Sequence, residues 1–230
     1  MKKRIALNWK NLWKCVELKK SNTQKIFIKI ICGKQKSVYY LNVTYLEISH
    51  YYWLSDKKFK SIVNLFPNII YLDLYSNGGF SDKTLNWIAK SYSSLKYLNL
   101  QKWYNNELLT DKGLYAIANS CQKLEYLNIS HRKEFSEIAI WNVIHSCLRI
   151  QQLDIFECNI TYSTIEEIGL YFKLKYFNLS TATWYLEKIS WGQIVLGKDQ
   201  LNVVFLSTDR VISFFLFEDT TYKTEYLWQN

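Results

Sequence analysis

Residues 95–130, LKYLNLQKWYNNELLTDKGLYAIANSCQKLEYLNIS, write one motif twice. The stretch opens on LKYLNL at Leu95 and returns to LEYLNI at Leu124. A third copy, LKYFNL, begins at Leu174. Apolar and polar residues alternate within each copy, which is the period of a strand with one buried face. Between the first two copies, TDKGLYAIANSC sets Leu114, Ile117 and Ala118 on one helical face, with Cys121 one turn on.

The motif extends in both directions. Segments that fit L-x-x-L-x-L centre on Leu46, Leu72, Leu98, Leu127, Leu153 and Phe177, so successive centres lie 26, 26, 29, 26 and 24 residues apart. LNVVFL puts a seventh centre, Val204, another 27 residues on. A pattern of this kind recurring every roughly 20–29 residues is that of a leucine-rich repeat. The second half of each unit agrees. An apolar residue followed by a hydroxyl stands after five of the centres: Leu54-Ser55, Phe80-Ser81, Leu109-Thr110, Phe135-Ser136 and Ile160-Thr161. Asp56, Asp82, Asp111 and Glu137 come next in four of them. The hydroxyl can cap the free N–H groups of a helix start, and the acid suits the helix dipole. Each unit reads strand, turn, helix and cannot bury its own apolar face, so the units must stack. The predicted fold is α/β: a leucine-rich-repeat solenoid, or horseshoe, of about seven repeats. It has a curved parallel β-sheet on the concave side and helices on the convex side.

LKYLNLQ…LLTDKGLYAIANSCQKLEYLNIS resembles the cysteine-containing leucine-rich repeats of F-box proteins and of their antagonist-of-mitotic-exit-like, ribonuclease-inhibitor-like relatives. In that family a Cys commonly stands three residues before the first Leu of a strand, as Cys121 and Cys147 do here. Phe66, Tyr92 and Tyr171 fill the slot elsewhere, so it reads as buried space. Asn77 and Cys158 match the family's Asn/Cys position after the strand; Trp103 and Arg132 depart from it. The resemblance covers residues 38–182. It implies a protein-protein interaction module, the substrate-recognition part of an SCF-type (F-box) ubiquitin ligase working in the cytoplasm or nucleus. WKNLWKCVEL also resembles the junction that joins an F-box to its repeats, where a Leu-Trp pair leads into a first strand. That makes Trp9, Leu12 and Trp13 candidate contacts to a Skp1-type adaptor. The F-box proper, a Leu-Pro-rich helical module, would lie upstream. Residues 1–37 are then a basic N-terminal cap or F-box-to-repeat junction, 38–182 the repeats, and 183–230 a last irregular repeat with a C-terminal cap.

Charge divides unevenly. Residues 1–36 hold eleven Lys/Arg and one acid, Glu17, for a net +10. The other 194 residues hold 18 Lys/Arg and 19 Asp/Glu, for a net −1. The basic segment keeps open a second class of function, binding to phosphates on nucleic acid or an anionic membrane. The same residues read as the solvated side of a cap closed by Trp9 and Trp13, which lie one helical turn apart. Aromatics are not interleaved with Arg, which argues against nucleic-acid recognition. A stand-alone repeat scaffold is the alternative within the interaction class.

No apolar run reaches the roughly 18 residues of a membrane span, and the start has no continuous apolar stretch, so a cytosolic or nuclear address is expected. The five cysteines include no CxxC pair, which predicts free thiols and no metal site. The sequons at Asn42, Asn128, Asn159 and Asn178 read as chance. Catalysis finds no footing and no cofactor is implied. His50 and His131 repeat an Ile-Ser-His echo, His145 reads as a helical residue near the core, and no phosphate loop is present.

Candidate binding residues follow from the strand alternation. The residues flanking each central Leu point to the open face and form two columns: Tyr45, Tyr71, Tyr97, Tyr126, Gln152 and Tyr176, and Glu47, Asp73, Asn99, Asn128, Asp154 and Asn178. Tyrosine gives large contact area at low entropy cost and is enriched at interfaces. The 29-residue unit adds a rim loop. Leu98 lies eleven residues before Leu109, where the distance from Leu46 to Leu54 is eight, and the excess falls in QKWYNNE with Trp103 and Tyr104. Loops on a rigid scaffold often carry binding.

Overall fold

A computed structural model describes residues 14–18, 41–51, 54–102, 108–161, 164, 168, 174, 176–178, 202–206 and 211–214. Nine described strands form one sheet in the order of the sequence. They are β1 (Cys15–Leu18), β2 (Tyr45–Ile48), β3 (Tyr71–Asp73), β4 (Tyr97–Asn99), β5 (Tyr126–Asn128), β6 (Gln152–Asp154), β7 (Tyr176–Asn178), β8 (Asn202–Leu206) and β9 (Val211–Phe214). β1 to β8 run parallel, and β9 returns antiparallel to β8. Within the basic N-terminal segment, Cys15–Leu18 joins the sheet: Val16 pairs with Leu46.

Parallel neighbours need a crossover, and helices supply four of them. These are α1 (Asp56–Leu65), α2 (Asp82–Ser91), α3 (Asp111–Ser120) and α4 (Glu137–Ser146), each ten residues long. Each buries one stripe at helical spacing: Phe59, Ile62 and Val63; Leu85, Ile88 and Ala89; Leu114, Ile117 and Ala118; Ile140, Val143 and Ile144. These stripes share one core with Leu46, Leu72, Leu98, Leu127 and Leu153, so the helices cover the leucine face of the sheet. Cys121 and Cys147 lie in the same core just past α3 and α4. Burial pushes their thiols up, to about 12 and about 11, which makes them poor nucleophiles. His145, expected near the core, instead lies exposed in the last turn of α4, edge-on to Trp141.

The helix starts hold the units together. Ser81, Thr110 and Ser136 cap their helices by accepting an N–H from Lys83, Lys112 and Ala139. The acid that follows each cap faces the next unit as well as its own dipole. Asp56 accepts from the Ser81 N–H (2.9 Å), the Ser81 hydroxyl (2.7 Å) and the Thr84 hydroxyl (2.8 Å). Asp82 accepts from the N–H and hydroxyl of Thr110, Asp111 from the N–H of Ser136, and Glu137 from both groups of Thr161. One carboxylate per unit therefore ties down the following helix cap.

Burial opposes charge on Asp56 and Glu137. The bonds from Ser81 and Thr84, and from Thr161 and Thr164, outweigh it, so both carboxyls titrate below their ordinary values of 3.8 and 4.5. Their folded values lie below their unfolded ones, so the unfolded chain takes up protons first as pH falls. The stabilisation is whole above about pH 5 and is lost as pH drops through the folded values. The urea midpoint should hold from about pH 7 to 5 and fall below that. Asp56→Asn with Glu137→Gln should flatten the fall.

Gly113 of α3 packs tightly against Asp82 and Leu85 of α2. A Cβ built there would lie 2.5 Å from Asp82 Oδ1 and 2.7 Å from Leu85 Cδ1. Alanine normally favours a helix interior by about 1 kcal/mol over glycine. Here Gly113→Ala should cost about 1–3 kcal/mol, because it displaces Asp82 from Thr110. Chemical denaturation of the variant measures this.

Candidate interaction face

The face opposite the helices carries the two columns. Strand register stacks Tyr45, Tyr71, Tyr97 and Tyr126 on successive rungs, followed by Gln152 and Tyr176. The first four rings stack on one another. Their centroids lie 4.0, 3.7 and 4.1 Å apart, and their planes meet at 12°, 13° and 5°. All four remain half-buried, and Gln152 is exposed. Burial raises the Tyr45, Tyr97 and Tyr126 hydroxyls far above the ordinary phenol range, so they stay protonated.

The second column departs from expectation. Glu47, Asp73, Asn99, Asn128 and Asp154 were placed on the open face by alternation, yet they are only 6–9% exposed. The reason is local hydrogen bonding. Asp73, Asn99 and Asn128 each accept the N–H two residues on, from Tyr75 (2.8 Å), Gln101 (3.0 Å) and Ser130 (2.9 Å). This short side chain bonding its own backbone explains why the position is Asp or Asn. The column is also joined sideways, by Asn99 Nδ2 to Asp73 (3.2 Å) and Asn128 Nδ2 to Gln101 Oε1 (3.2 Å). Tyr45 donates to Glu47 (3.2 Å), and Tyr126 donates to Asp154 (2.5 Å). The column is a floor beneath the tyrosines, and little of it is free for a partner to touch. At the next alternate position Tyr75, Gln101 and Phe156 are half-buried, whereas Ser49 and Ser130 are buried. Continuing the alternation by two residues would have found it.

The strand ends turn sharply. His50, Ser76, His131 and Glu157 all take positive φ, between 53° and 63°, at the same place in their units. The unit with three extra residues has Lys102 there, without positive φ. Lys102 is buried and ion-paired to Glu134 at 2.8 Å; Glu134 also pairs with buried Arg132 at 3.0 Å. Arg132 departs from the Asn/Cys pattern in identity only. Its Nε donates to Leu100 O (2.7 Å), just as Asn77 Nδ2 donates to Ile48 O and Cys158 Sγ to Ile129 O. Three different side chains bridge to the preceding unit at one repeat position. Trp103 and Tyr104, with the rest of 103–107, lie outside the described residues, as do Trp9, Leu12 and Trp13.

Among the described residues, no group of three or more His, Cys, Asp or Glu could hold a metal, and no helix is long and apolar enough to cross a membrane. The sequence matches no protein-family model and no curated protein.

The buried triad gives a sharp test. Glu134 is the anion between two buried cations, and removing a partner from such a group costs about 3–5 kcal/mol. Glu134→Gln should lower stability by that amount in urea titration, and adding Lys102→Met should recover part of it.

Proposed function

We propose that the chain is a leucine-rich-repeat protein whose tyrosine-bearing sheet face binds another protein. We further propose that it serves as the substrate-recognition part of an SCF-type ubiquitin ligase in the cytoplasm or nucleus. The carrying observation is the four-ring tyrosine stack in register on the face that the helices leave open. Support for the repeat class comes from the parallel strand-helix alternation, the sequential strand order and the Asn/Arg/Cys bridge repeated between units. On this reading the units stack as a horseshoe of about seven repeats, and the tyrosines line its concave side. Stacked tyrosines are already ordered by one another, so a partner loses little side-chain entropy by binding them.

The ligase role rests on the resemblance of WKNLWKCVEL to an F-box junction. It is supported by the strand β1, which begins at Cys15, two residues after Trp13. Trp9, Leu12 and Trp13 are the proposed adaptor contacts. Calorimetry of the purified chain with a Skp1-type adaptor tests this. Heat of binding that disappears on changing Trp9 and Trp13 to Ala is the expected result. No heat would remove the ligase role and leave a repeat scaffold. The face is tested separately. Tyr97→Ala with Tyr126→Ala should abolish capture of the partners that the native chain pulls down. Near-native circular dichroism should confirm the fold, and unchanged capture would remove the face.

A further inference from the structure

The helices turn a second surface outward, away from the tyrosines. α1 to α4 pack side by side in sequence order. In each, the second, fifth, sixth and ninth residues lie opposite the buried stripe. These outward positions hold five lysines and no Asp or Glu. Lys57, Lys83 and Lys112 stand at the same place on three adjacent helices, and Lys60 and Lys90 lie on α1 and α2. All five are exposed, and among the described residues none is ion-paired. The acids nearest them in sequence, Asp56, Asp82 and Asp111, aim their carboxylates at the helix cap of the following unit.

The same surface carries apolar residues that a solvated face does not need. Ile138 takes on α4 the place that lysine holds on α1 to α3, and it is 71% exposed. Leu148, just past the end of α4, is 77% exposed. They are the two most exposed large apolar residues among those described. Half-buried Trp87, Tyr115 and Trp141 hold outward positions on α2, α3 and α4, with one side packed on the core. Lys60 Nζ reaches over the Trp87 ring, 5.7 Å from its centre. Lysines beside Trp and Tyr, with bare aliphatic side chains, suit a face that lies in a membrane interface. There the ammonium heads meet anionic headgroups, and the aliphatic side chains enter the acyl boundary. A nucleic acid would use the lysines but gains nothing from Ile138 and Leu148.

We propose that the outer face of α1 to α4 docks on an anionic lipid surface. Lys57, Lys60, Lys83, Lys90 and Lys112 contact the headgroups, and Ile138 and Leu148 enter the apolar boundary beneath them. Lys57 and Lys112 lie two helix spacings apart, roughly 16–20 Å at about 8–10 Å per spacing. The charge is therefore spread along a surface, not gathered around one free phosphate. Since the helices cover the leucine face of the sheet, the tyrosine face stays open to a protein while the chain sits on lipid.

The test is co-sedimentation of the full chain with phosphatidylcholine vesicles, with and without phosphatidylserine. The native chain should bind the vesicles that contain phosphatidylserine and leave the neutral ones. The first variant is K57Q/K90Q/K112Q; Lys83, which acts on the titration of Asp56, stays in place. Its affinity should fall at least about tenfold, with a shallower salt dependence. Ile138→Ser with Leu148→Ser should also weaken binding at least about tenfold, with the salt dependence unchanged. Circular dichroism checks the fold of both. No binding, or equal binding to the neutral vesicles, overturns the proposal. Equal binding by the lysine variant overturns it and moves the contact to the basic N-terminal segment. Full retention by the serine variant overturns it as well, and duplex DNA bound through the same lysines would then be the occupant. Vesicle binding lost from Tyr97→Ala with Tyr126→Ala would place the contact on the opposite face and overturn this one.

Discussion

A parallel strand of three residues has almost no stability of its own. The helix that follows it cannot bury its stripe without the helices on either side. Everything in this chain depends on adjacent units meeting in one register, with Leu46, Leu72, Leu98, Leu127, Leu153 and Phe177 paired rung by rung. A slip of one residue would turn the leucines to the open face and the tyrosines into the core. Once the leucines align, the neighbouring residues have no freedom. Tyrosine falls on tyrosine, and the rings close to within 4.1 Å.

Two polar seams guard that register, both in the connections between strand ends and helix starts. At the helix starts, Asp56, Asp82, Asp111 and Glu137 each hold the cap of the next unit. Past the strand ends, Asn77, Arg132 and Cys158 each hold a backbone carbonyl of the unit before. The seams run in opposite directions, one forward and one back. Most of their members are short side chains with little rotamer entropy to lose, and Arg132 is the exception. Its longer reach goes with the unit that follows three extra residues, where it also shares Glu134 with Lys102.

Strand centres from Leu46 to Phe177, helix stripes and the tyrosine column were legible in the sequence because they repeat with two fixed periods; the seventh centre, expected at Val204, falls one residue off, since Phe177 pairs with Val203. The helix-start acids were visible but half understood. A dipole explanation needs only the acid's own helix, whereas the bond from Asp56 to Ser81 crosses 25 residues. Burial of Glu47, Asp73 and Asp154 escaped notice for a related reason. Alternation gives the direction of a side chain and says nothing of how far its neighbours cover it. Arg132 looked like a break in pattern because residue identity differs, although one of its nitrogens reaches the same carbonyl position as Asn77 and Cys158. His145 was misplaced because α4 carries apolar residues on both sides, Ile138 outside and Ile144 inside, so its stripe is hard to orient.

Gln152 interrupts the tyrosine stack without disturbing the leucine beneath it, since Leu153 is fully buried and pairs normally with Leu127 and Phe177. The core and the open face are thus written in alternate letters of the same strand, and selection can edit one without touching the other. Each rung answers chiefly to the rungs on either side, so a change of recognition residue is felt locally. Such a face can drift toward a new partner one rung at a time, while the leucines go on keeping the same molecule folded.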